Sequence, residues 1–250
     1  MQRKTIFALY FRELMTRFGK YNLGLIWALL EPITHVTLLS LIFFAVSKNS
    51  YQFDYPVFVM TGIMPWILFK NVITRSLNAT SVNAGLFFYR NVKPIDTILA
   101  RAILELNVHI FASSVLLFIF YLIGFDVGFD NFLLYASTIL TLFFFSLGLG
   151  LFLAVICAFN DDVQKFVTML FRPLYFISGI FFSISIVPEP SKSILLYNPI
   201  IHAIELVRDG FNESFDSGYA SYPYLATSAL ITMGLGLFYY HHNWKRIIDR

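Results

Sequence analysis

The sequence predicts an all-α polytopic membrane protein with six transmembrane helices, an N-terminal amphipathic interface helix, and re-entrant helices before the last span. Hydrophobic residues make up 58% of the chain and charged residues only 13%, whereas soluble domains carry about 25% charged residues. Apolar stretches of about 20 residues, the length that crosses a bilayer as a helix, recur throughout. No stretch of soluble-domain composition interrupts them, so residues 1–250 are predicted to form a single transmembrane domain.

The first element, residues 3–19, is predicted to lie on the membrane surface. Its apolar side chains recur at helical spacing, and the charged side chains take the opposite side. The apolar set is Phe7, Tyr10, Phe11, Leu14, Phe18 and Tyr21, and the polar set is Arg12, Glu13, Thr16, Arg17 and Lys20. Such a helix settles at the headgroup boundary and favours anionic lipid. Trp27 suits the same interface, and Pro32 is expected to cap or kink the next helix.

Six apolar stretches follow as candidate spans. They are residues 31–49, 56–77, 97–123, 131–158, 164–182 and 222–241. The dipeptide Arg172-Pro173 interrupts the fifth stretch. Residues 183–215 contain prolines and apolar pieces too short to span, so they are predicted to form re-entrant or interfacial helices. The pairs Gly148/Gly150 and Gly234/Gly236 are expected to allow close helix packing.

The distribution of lysine and arginine predicts the orientation. Basic residues are found in the N-terminal segment, in loop 78–96, in residues 159–165 and in the C-terminal tail. Loops 50–55 and 124–130 carry none. Because cytoplasmic loops are enriched in Lys and Arg, both termini are predicted to be cytoplasmic.

Several kinds of chemistry lack their sequence signature. There is no Gly-x-x-x-x-Gly-Lys-Ser/Thr loop, so nucleotide binding by that route is not expected. The single cysteine, Cys157, excludes an intrachain disulfide and a cysteine-based metal site. Residues Asn160-Asp161-Asp162 resemble part of the Mg²⁺-binding aspartate motif of a prenyl-transfer site. That motif needs a further acidic residue nearby and a second copy of itself, and both are missing. A helix N-cap is therefore the preferred interpretation. The sequence therefore predicts no catalytic residue, no metal site and no cofactor in this chain.

Ionisable residues within the spans are the next candidates, since buried charges in membranes usually face protein or water. Arg101, Glu105 and His109 are spaced four apart on the third span and share a face about 12 Å long. They could form helix-joining ion pairs, line a polar path or relay protons. Lys70, Arg75 and Arg172 could snorkel to the cytoplasmic surface or form a basic vestibule for an anionic substrate.

Four aromatic residues are candidates for stacking on sugar rings, because tyrosine and tryptophan combine a flat apolar face with a polar group. These are Trp66, Tyr89, Tyr175 and Tyr197.

Two stretches resemble the type-2 ABC-exporter permeases. Arg17, Gly19, Leu23, Gly24, Trp27, Leu30 and Pro32 are similar to the N-terminal motif of that family. The fuller string at residues 17–35, RFGKYNLGLIWALLEPITH, resembles its capsular-polysaccharide branch. Residues 197–208, YNPIIHAIELVR, are similar to the segment before the last span in the same permeases.

The resemblance implies a division of labour between subunits. Two copies of this chain would form the pore, and two copies of a separate ATPase would bind ATP and Mg²⁺ and hydrolyse ATP. The interface helix, residues 82–93 and the turn at 160–164 would receive the movement of the ATPase. The implied coupling residues are Tyr89, Arg90, Lys93, Asn160, Asp161 and Asp162. An outer re-entrant gate would include Tyr197, Pro199, His202, Glu205 and Arg208.

The cargo implied by the resemblance is a lipid-linked, anionic capsular polysaccharide that crosses the inner membrane of a Gram-negative bacterium. Arginine suits the anionic linker because it binds phosphate or carboxylate in a bidentate way, although anchoring to membrane lipid explains the same residues. Candidate contacts are Arg12, Arg17, Lys20, Trp27, Arg75, Arg101, Glu105, His109 and Tyr175. Periplasmic and outer-membrane polysaccharide export proteins would be further partners, and nucleic acid would not.

Other functions remain open at this point. A related exporter could carry O-antigen or teichoic acid. A proton-coupled secondary transporter could use Glu105 and His109, although no inverted repeat or pair of broken helices supports it. An intramembrane transferase would need the metal-binding acids that the sequence lacks.

Overall fold

The computed structural model describes residues 2–19, 24–44, 54–89, 91–160, 162–212, 215 and 217–248, without the side chains of residues 25, 27, 28, 43 and 44. These ranges contain ten α-helices, two single-turn 3₁₀ helices (Ala84–Leu86 and Ile184–Ile186) and no strand, which confirms the all-helical prediction for the described residues. The α-helices are α1 (Gln2–Phe18), α2 (Gly24–Phe44), α3 (Tyr55–Leu77), α4 (Ala79–Val82), α5 (Pro94–Ile123), α6 (Phe132–Cys157), α7 (Asp162–Ile177), α8 (Ser191–Leu195), α9 (Pro199–Phe211) and α10 (Tyr222–Ile248).

Three helices, α3, α5 and α6, are long and apolar enough to cross a membrane. They correspond to the second, third and fourth predicted spans. The ends of α5 show how local sequence sets these boundaries. Pro94 occupies a first-turn position where a missing N–H costs little. Gly124 ends the helix at φ +98°, a left-handed conformation that glycine adopts without steric cost.

The predicted bounds of the first span need correction. Helix α2 begins at Gly24 rather than at residue 31, and its described apolar part is Leu29–Ile42. Pro32 therefore lies inside the helix and does not cap its start. The residues before Pro32 already form helix, so of the two expected roles only the kink stays a prediction. Residues 45–49 of the predicted span lie outside the described residues.

The fifth predicted span also differs from the structure. Helix α7 has 16 residues, which is about 24 Å of rise and less than the roughly 30 Å hydrocarbon thickness. Pro173 lies inside α7 without ending it, contrary to the predicted interruption. The chain leaves the helix just before Gly179, which has φ +75°. The last predicted span is longer than expected, because α10 continues to Ile248. The count of six spans stays a prediction.

Three of the four predicted glycines lie at close helix contacts, two of them between α6 and α10. A Cβ on Gly148 would lie 2.4 Å from the backbone nitrogen of Met233, and a Cβ on Gly236 would lie 2.4 Å from the carbonyl oxygen of Gly148. Gly150 faces α3 with a similarly close approach, at 2.9 Å from a serine hydroxyl. Gly234 differs, because a Cβ there would have no neighbour within 4 Å. Small residues therefore bring these backbones together.

Helix α1 packs along the first half of α5 and turns charged side chains toward it. Arg12, Glu13 and Arg17 contact other helices or the segment after α3. Phe7 and Met15, by contrast, are 64% and 61% exposed. The predicted polar side of the amphipathic helix is thus engaged with protein, and Phe7, Phe11 and Met15 are left for a surrounding apolar phase. Phe18 of the predicted apolar side is buried instead.

The two ends of the bundle carry different elements. Helices α3 and α6 run in one direction and α5 in the other. Helix α1, residues 78–89 and 91–93 and the C-terminal half of α10 lie together at what we call the α1 end. The hydroxyl of Tyr240 accepts a hydrogen bond of 3.3 Å from the backbone of Ile95 there. The opposite, or far, end carries residues 124–131, 178–212 and 217–221, joined by a 3.1 Å bond from Asn131 N to Gly210 O.

The glycine contacts give a matched pair of variants. Gly148→Ala should destabilise the protein by about 1–3 kcal/mol, because the added Cβ overlaps the backbone of α10. Gly234→Ala should be neutral or slightly stabilising, because alanine is favoured over glycine by up to about 1 kcal/mol within a helix. Thermal unfolding of the detergent-purified protein measures both. Equal unfolding temperatures for the two variants would contradict the close α6–α10 approach.

Candidate functional site

The carboxylate of Glu105 is the centre of a charged cluster between α1, α3 and α5. Arg17 of α1 forms an ion pair and hydrogen bond with it. Arg75 of α3 places its Nε 3.5 Å from the same Oε1 atom. Glu105 is only 3% exposed, so its charge depends on these two partners. Residues of three separate helices therefore meet at one carboxylate.

A second carboxylate, that of Glu13, is also shared by two arginines. Arg101 Nε and Arg12 Nη2 each lie 3.1 Å from its Oε1. Arg101 further donates a 2.8 Å hydrogen bond to Asn78 Oδ1, and Arg12 donates to Asn83 Oδ1. These contacts tie α1 to α5 and to the segment that follows α3. Arg12 and Arg101 thus both have protein partners.

The cluster carries excess positive charge. Four arginines face two glutamates across these contacts, which leaves a surplus of two positive charges. The nearby pair of Lys70 Nζ and Glu31 Oε1, 2.7 Å apart, is neutral as a pair. A cationic cleft with apolar walls raises the local concentration of anions, so the site is suited to an anionic ligand.

Two adjacent pockets open beside Glu105. The first, called the His109 pocket, has a volume of about 270 Å³ and is lined by residues that include Arg17, Asn71, Arg75, Glu105 and His109. The second, called the Asn78 pocket, has a volume of about 290 Å³ and shares Arg17, Arg75 and Glu105 with the first. Both are close to the lower limit of about 300 Å³ for small-molecule sites.

His109 has no hydrogen-bond partner among the described residues. Its side chain is 4% exposed, and neither ring nitrogen is bonded. Buried polar groups are normally paired with protein or water. The predicted stripe of Arg101, Glu105 and His109 does share one face, but each member has different surroundings. Within the described part of the chain, no hydrogen bond joins Glu105 to His109.

The remaining predicted cargo contacts lie elsewhere. Lys20 lies outside the described residues, and Trp27 is in α2 with a side chain that is not described. Tyr175 of α7 packs 5.5 Å from the ring of Trp66 and 6.3 Å from that of His35. It lines neither pocket beside Glu105.

Two predicted coupling residues of the first loop, Tyr89 and Lys93, lie at the α1 end. Tyr89 is 68% exposed, and its neighbour Phe88, which the sequence did not single out, is 93% exposed. Lys93 precedes α5, and its backbone N–H donates a 2.9 Å bond to the Asp96 carboxylate. Its ammonium lies 5.8 Å from the ring centroid of Trp244. Arg90 lies outside the described residues.

The second predicted coupling turn precedes α7. Asn160 Oδ1 accepts a 3.0 Å bond from the backbone N–H of Asp162, in the manner of an Asx turn. Asp162 and Lys165 form an exposed ion pair at 3.0 Å. Asp161 lies outside the described residues. Among those that are described, no group of three or more His, Cys, Asp or Glu could hold a metal ion.

Two of the predicted gate residues form a buried ion pair at the far end. Arg208 Nη1 lies 3.0 Å from Glu205 Oε1, and both side chains are fully buried. Arg208 also donates a 2.8 Å bond to the carbonyl of Ile180, and its guanidinium lies 3.7 Å over the ring of Phe58. Glu205 accepts a 3.0 Å bond from the Ser183 hydroxyl. The pair therefore fastens α9 to residues 180–184 and to α3.

His202 joins α9 to the start of α10. Its Nδ1 accepts a 3.0 Å bond from the backbone N–H of Ser221, so Nε2 is the donor to the Leu196 carbonyl at 2.8 Å. The ring lies 4.7 Å from that of Tyr224, whose hydroxyl donates to the Tyr197 carbonyl at 2.9 Å.

The start of α9 follows from its sequence. Asn198 accepts a 3.0 Å bond from the backbone N–H of Ile200, and Pro199 takes a first-turn position where it suits a helix. An asparagine followed by proline is typical of a helix start, so the sequence alone could have indicated the role of Asn198. The roles of Ser183 and Tyr224 had no comparable signal, because both contacts are long-range.

The Glu205–Arg208 pair gives a stability prediction. Removing one partner leaves an uncompensated buried charge, so Glu205→Ala and Arg208→Ala should each cost about 3–5 kcal/mol. The double variant should cost clearly less than the two single changes together, because no buried charge is left alone. Denaturant unfolding in detergent tests this cycle. Additive effects would show that the two side chains do not stabilise one another.

Comparison with known proteins matches the ABC-2 type transporter family over residues 4–212. The polysialic acid transport protein KpsM of Escherichia coli is 39% identical, over 96% of this chain and 93% of that protein. Two capsule polysaccharide export inner-membrane proteins, BexB of Haemophilus influenzae and CtrC of Neisseria meningitidis serogroup B, are 32% and 31% identical. These matches cover 94% and 95% of this chain and 90% of each relative. The chain therefore belongs to the ABC-2 type transporter family.

Proposed function

We propose that this chain is the permease subunit of an ATP-driven exporter that moves lipid-linked capsular polysaccharide across the bacterial inner membrane. The observation that carries this proposal is the end-to-end similarity to relatives named for polysialic acid transport and capsule polysaccharide export. An O-antigen export permease of Klebsiella pneumoniae is also similar, but at 23% identity. The difference in identity favours capsule polysaccharide over O-antigen as the cargo.

In this proposal ATP hydrolysis belongs to a separate subunit. The sequence lacks a phosphate-binding loop, and two ATPase copies would supply ATP and Mg²⁺ binding to a pore made of two copies of this chain. The exposed Phe88 and Tyr89 at the α1 end support docking there, because clustered exposed apolar side chains mark contact surfaces. Asn160 and Asp162 lie on the second candidate contact at the same end.

The proposed orientation places the α1 end in the cytoplasm. Basic residues concentrate at that end, as expected for cytoplasmic segments. Helices α2, α3, α5, α6 and α10 would provide five spans, and α7 together with residues 178–182 would provide the sixth, with both termini cytoplasmic. Helices α8 and α9 are too short to span and would form the re-entrant segment on the periplasmic side. Periplasmic and outer-membrane export proteins would receive the polymer there.

The surplus charge around Glu105 supports an anionic cargo. A polymer that enters from the cytoplasmic leaflet would meet this cluster first. The competing proton-coupled transporter would use Glu105 and His109 together. Glu105 is instead held by two arginines, and no hydrogen bond among the described residues connects it to His109. These contacts favour a structural or anion-binding role over a proton relay.

ATP hydrolysis in proteoliposomes tests the function. The chain alone should show no hydrolysis, whereas the chain with the ATPase encoded beside it should hydrolyse ATP in a way that lipid-linked capsule polymer changes. Collapse of the proton gradient at constant ATP should leave transport unaffected. Hydrolysis that is indifferent to both this chain and the polymer would contradict the proposal.

Docking at residues 88 and 89 can be tested separately. Replacing both Phe88 and Tyr89 with Ala should reduce copurification of the ATPase about tenfold or more, since aromatic anchors contribute strongly to interfaces. Tyr121→Ala is the matched control, because this tyrosine is 69% exposed but lies near the far end of α5. Equal loss of the ATPase in both variants, or retention in both, would argue against docking at this loop.

A further inference from the structure

Two guanidinium groups and one unpaired imidazole face the same cavity. Arg17 and Arg75 line the His109 pocket, and both contact Glu105 there. His109 lines it as well, with both ring nitrogens unbonded among the described residues. We propose that the His109 pocket binds a phosphate group, which takes Arg17 from Glu105 and shares Arg75 with it. This inference rests on the proposed export function only for the source of the ligand, the phosphorylated terminus of a lipid-linked cargo.

The donor set suits phosphate. Each arginine offers a planar fork that can bind two oxygens of one phosphate, and these two already hold an oxyanion in the form of Glu105. His109 is one helical turn beyond Glu105 on the same face of α5, so its ring can donate an N–H to the ligand. Asn71 lines the same pocket and adds amide donors. The unpaired imidazole is the independent sign of a missing partner, because a group so deeply buried is normally hydrogen-bonded.

The charges explain why the exchange can occur. One carboxylate serves two guanidinium groups, and Glu31, which also lines the pocket, is paired with Lys70. Three basic groups against two carboxylates leave one positive charge around the pocket. A phosphate that approaches Arg17 and Arg75 competes with Glu105 for them and is repelled by it. Glu105 therefore acts as a resident counter-ion that weakens ligand binding. Removing its charge should tighten binding, whereas removing either arginine should weaken it.

The same contact links ligand binding to α1. Arg17 belongs to α1 and Glu105 to α5, so transfer of Arg17 from Glu105 to a phosphate removes one of the ties between these helices. The ion pair between Glu13 of α1 and Arg101 of α5 remains. Arg12 and Arg101 are thus positioning residues for α1, through their contacts with Glu13, Asn78 and Asn83. The predicted cargo contacts therefore divide into residues that bind the phosphate, namely Arg17, Arg75 and His109, and residues that position α1, namely Arg12 and Arg101.

The size of the pocket limits the ligand. A volume of about 270 Å³ is below the usual range for a drug-sized molecule. It accommodates a headgroup phosphate and its immediate substituents, whereas several sugar units of a polymer would exceed it. The pocket is therefore assigned to the lipid terminus and not to the polysaccharide chain.

Calorimetric titration of the purified full chain in maltoside detergent tests this assignment. The probes are dihexanoyl phosphatidic acid, inorganic phosphate and dihexanoylglycerol, which lacks phosphate. Arg17→Gln and Arg75→Gln should each weaken binding of the phosphatidic acid about tenfold, as expected for loss of a charge-assisted hydrogen bond. His109→Gln should weaken it several-fold, and Glu105→Gln should strengthen it. Arg3→Gln, an exposed change of the same charge on α1, should leave it unchanged.

The outcomes separate the possible ligands. Binding of phosphatidic acid that exceeds binding of inorganic phosphate supports a lipid headgroup, and equal binding of the two supports recognition of the phosphate alone. Equal affinity in the wild type, Arg17→Gln and Arg75→Gln, or equal binding of dihexanoylglycerol, would overturn the proposal. Gel filtration and thermal unfolding verify the fold of each variant. The stronger binding of phosphatidic acid expected for Glu105→Gln cannot result from loss of folding. The assay contains no ATPase and no transport step, so its failure is distinct from failure of the proposed function.

Discussion

Glu105 is held by arginines from two other helices, and this contact joins α1 and α3 to α5. A buried carboxylate is tolerated only when its charge is compensated by well-placed partners. The requirement fixes the side of α1 that faces the bundle, because Arg17 must reach Glu105 while Glu13 reaches Arg101. Phe7 and Phe11 of α1 are then left on the outside. One electrostatic constraint thus sets both the docking of the N-terminal helix and the shape of the pocket beneath it.

The far end depends on a second buried pair with a different environment. Glu205 and Arg208 are completely buried, and their remaining groups bond to the backbone of residues 180–184 and to the Ser183 hydroxyl. This pair is neutral as a pair, which contrasts with the four arginines and two glutamates of the α1 end. Between these ends the helices pack through apolar side chains and close glycine contacts. Rigid packing in the middle would allow a change at one end to be transmitted as a movement of whole helices.

The proposed transport function uses this arrangement in a simple way. An anionic terminus would be attracted to the α1 end, where the ATPase would also dock. Binding and docking would then act on neighbouring elements, namely α1, the residues after α3 and the start of α5. A ligand or a partner can shift a conformational equilibrium only through different contacts in the two states. Exchange of Arg17 between Glu105 and a phosphate would provide one such difference.

The sequence by itself determined the all-helical membrane class and most bounds of α3, α5 and α6, because apolar length, proline and glycine positions are local properties of the chain. It also placed Arg101, Glu105 and His109 on one face. Only the tertiary structure decided which partner each charge takes, since Arg17 and Glu105 are 88 positions apart. The tertiary structure likewise distinguished Gly148 from Gly234, which look alike in sequence. It also set the early start of α2 and the short length of α7. Helix formation follows from local hydrogen bonds and side-chain transfer energies, whereas ion pairs and close packing depend on distant segments that meet only in the folded protein.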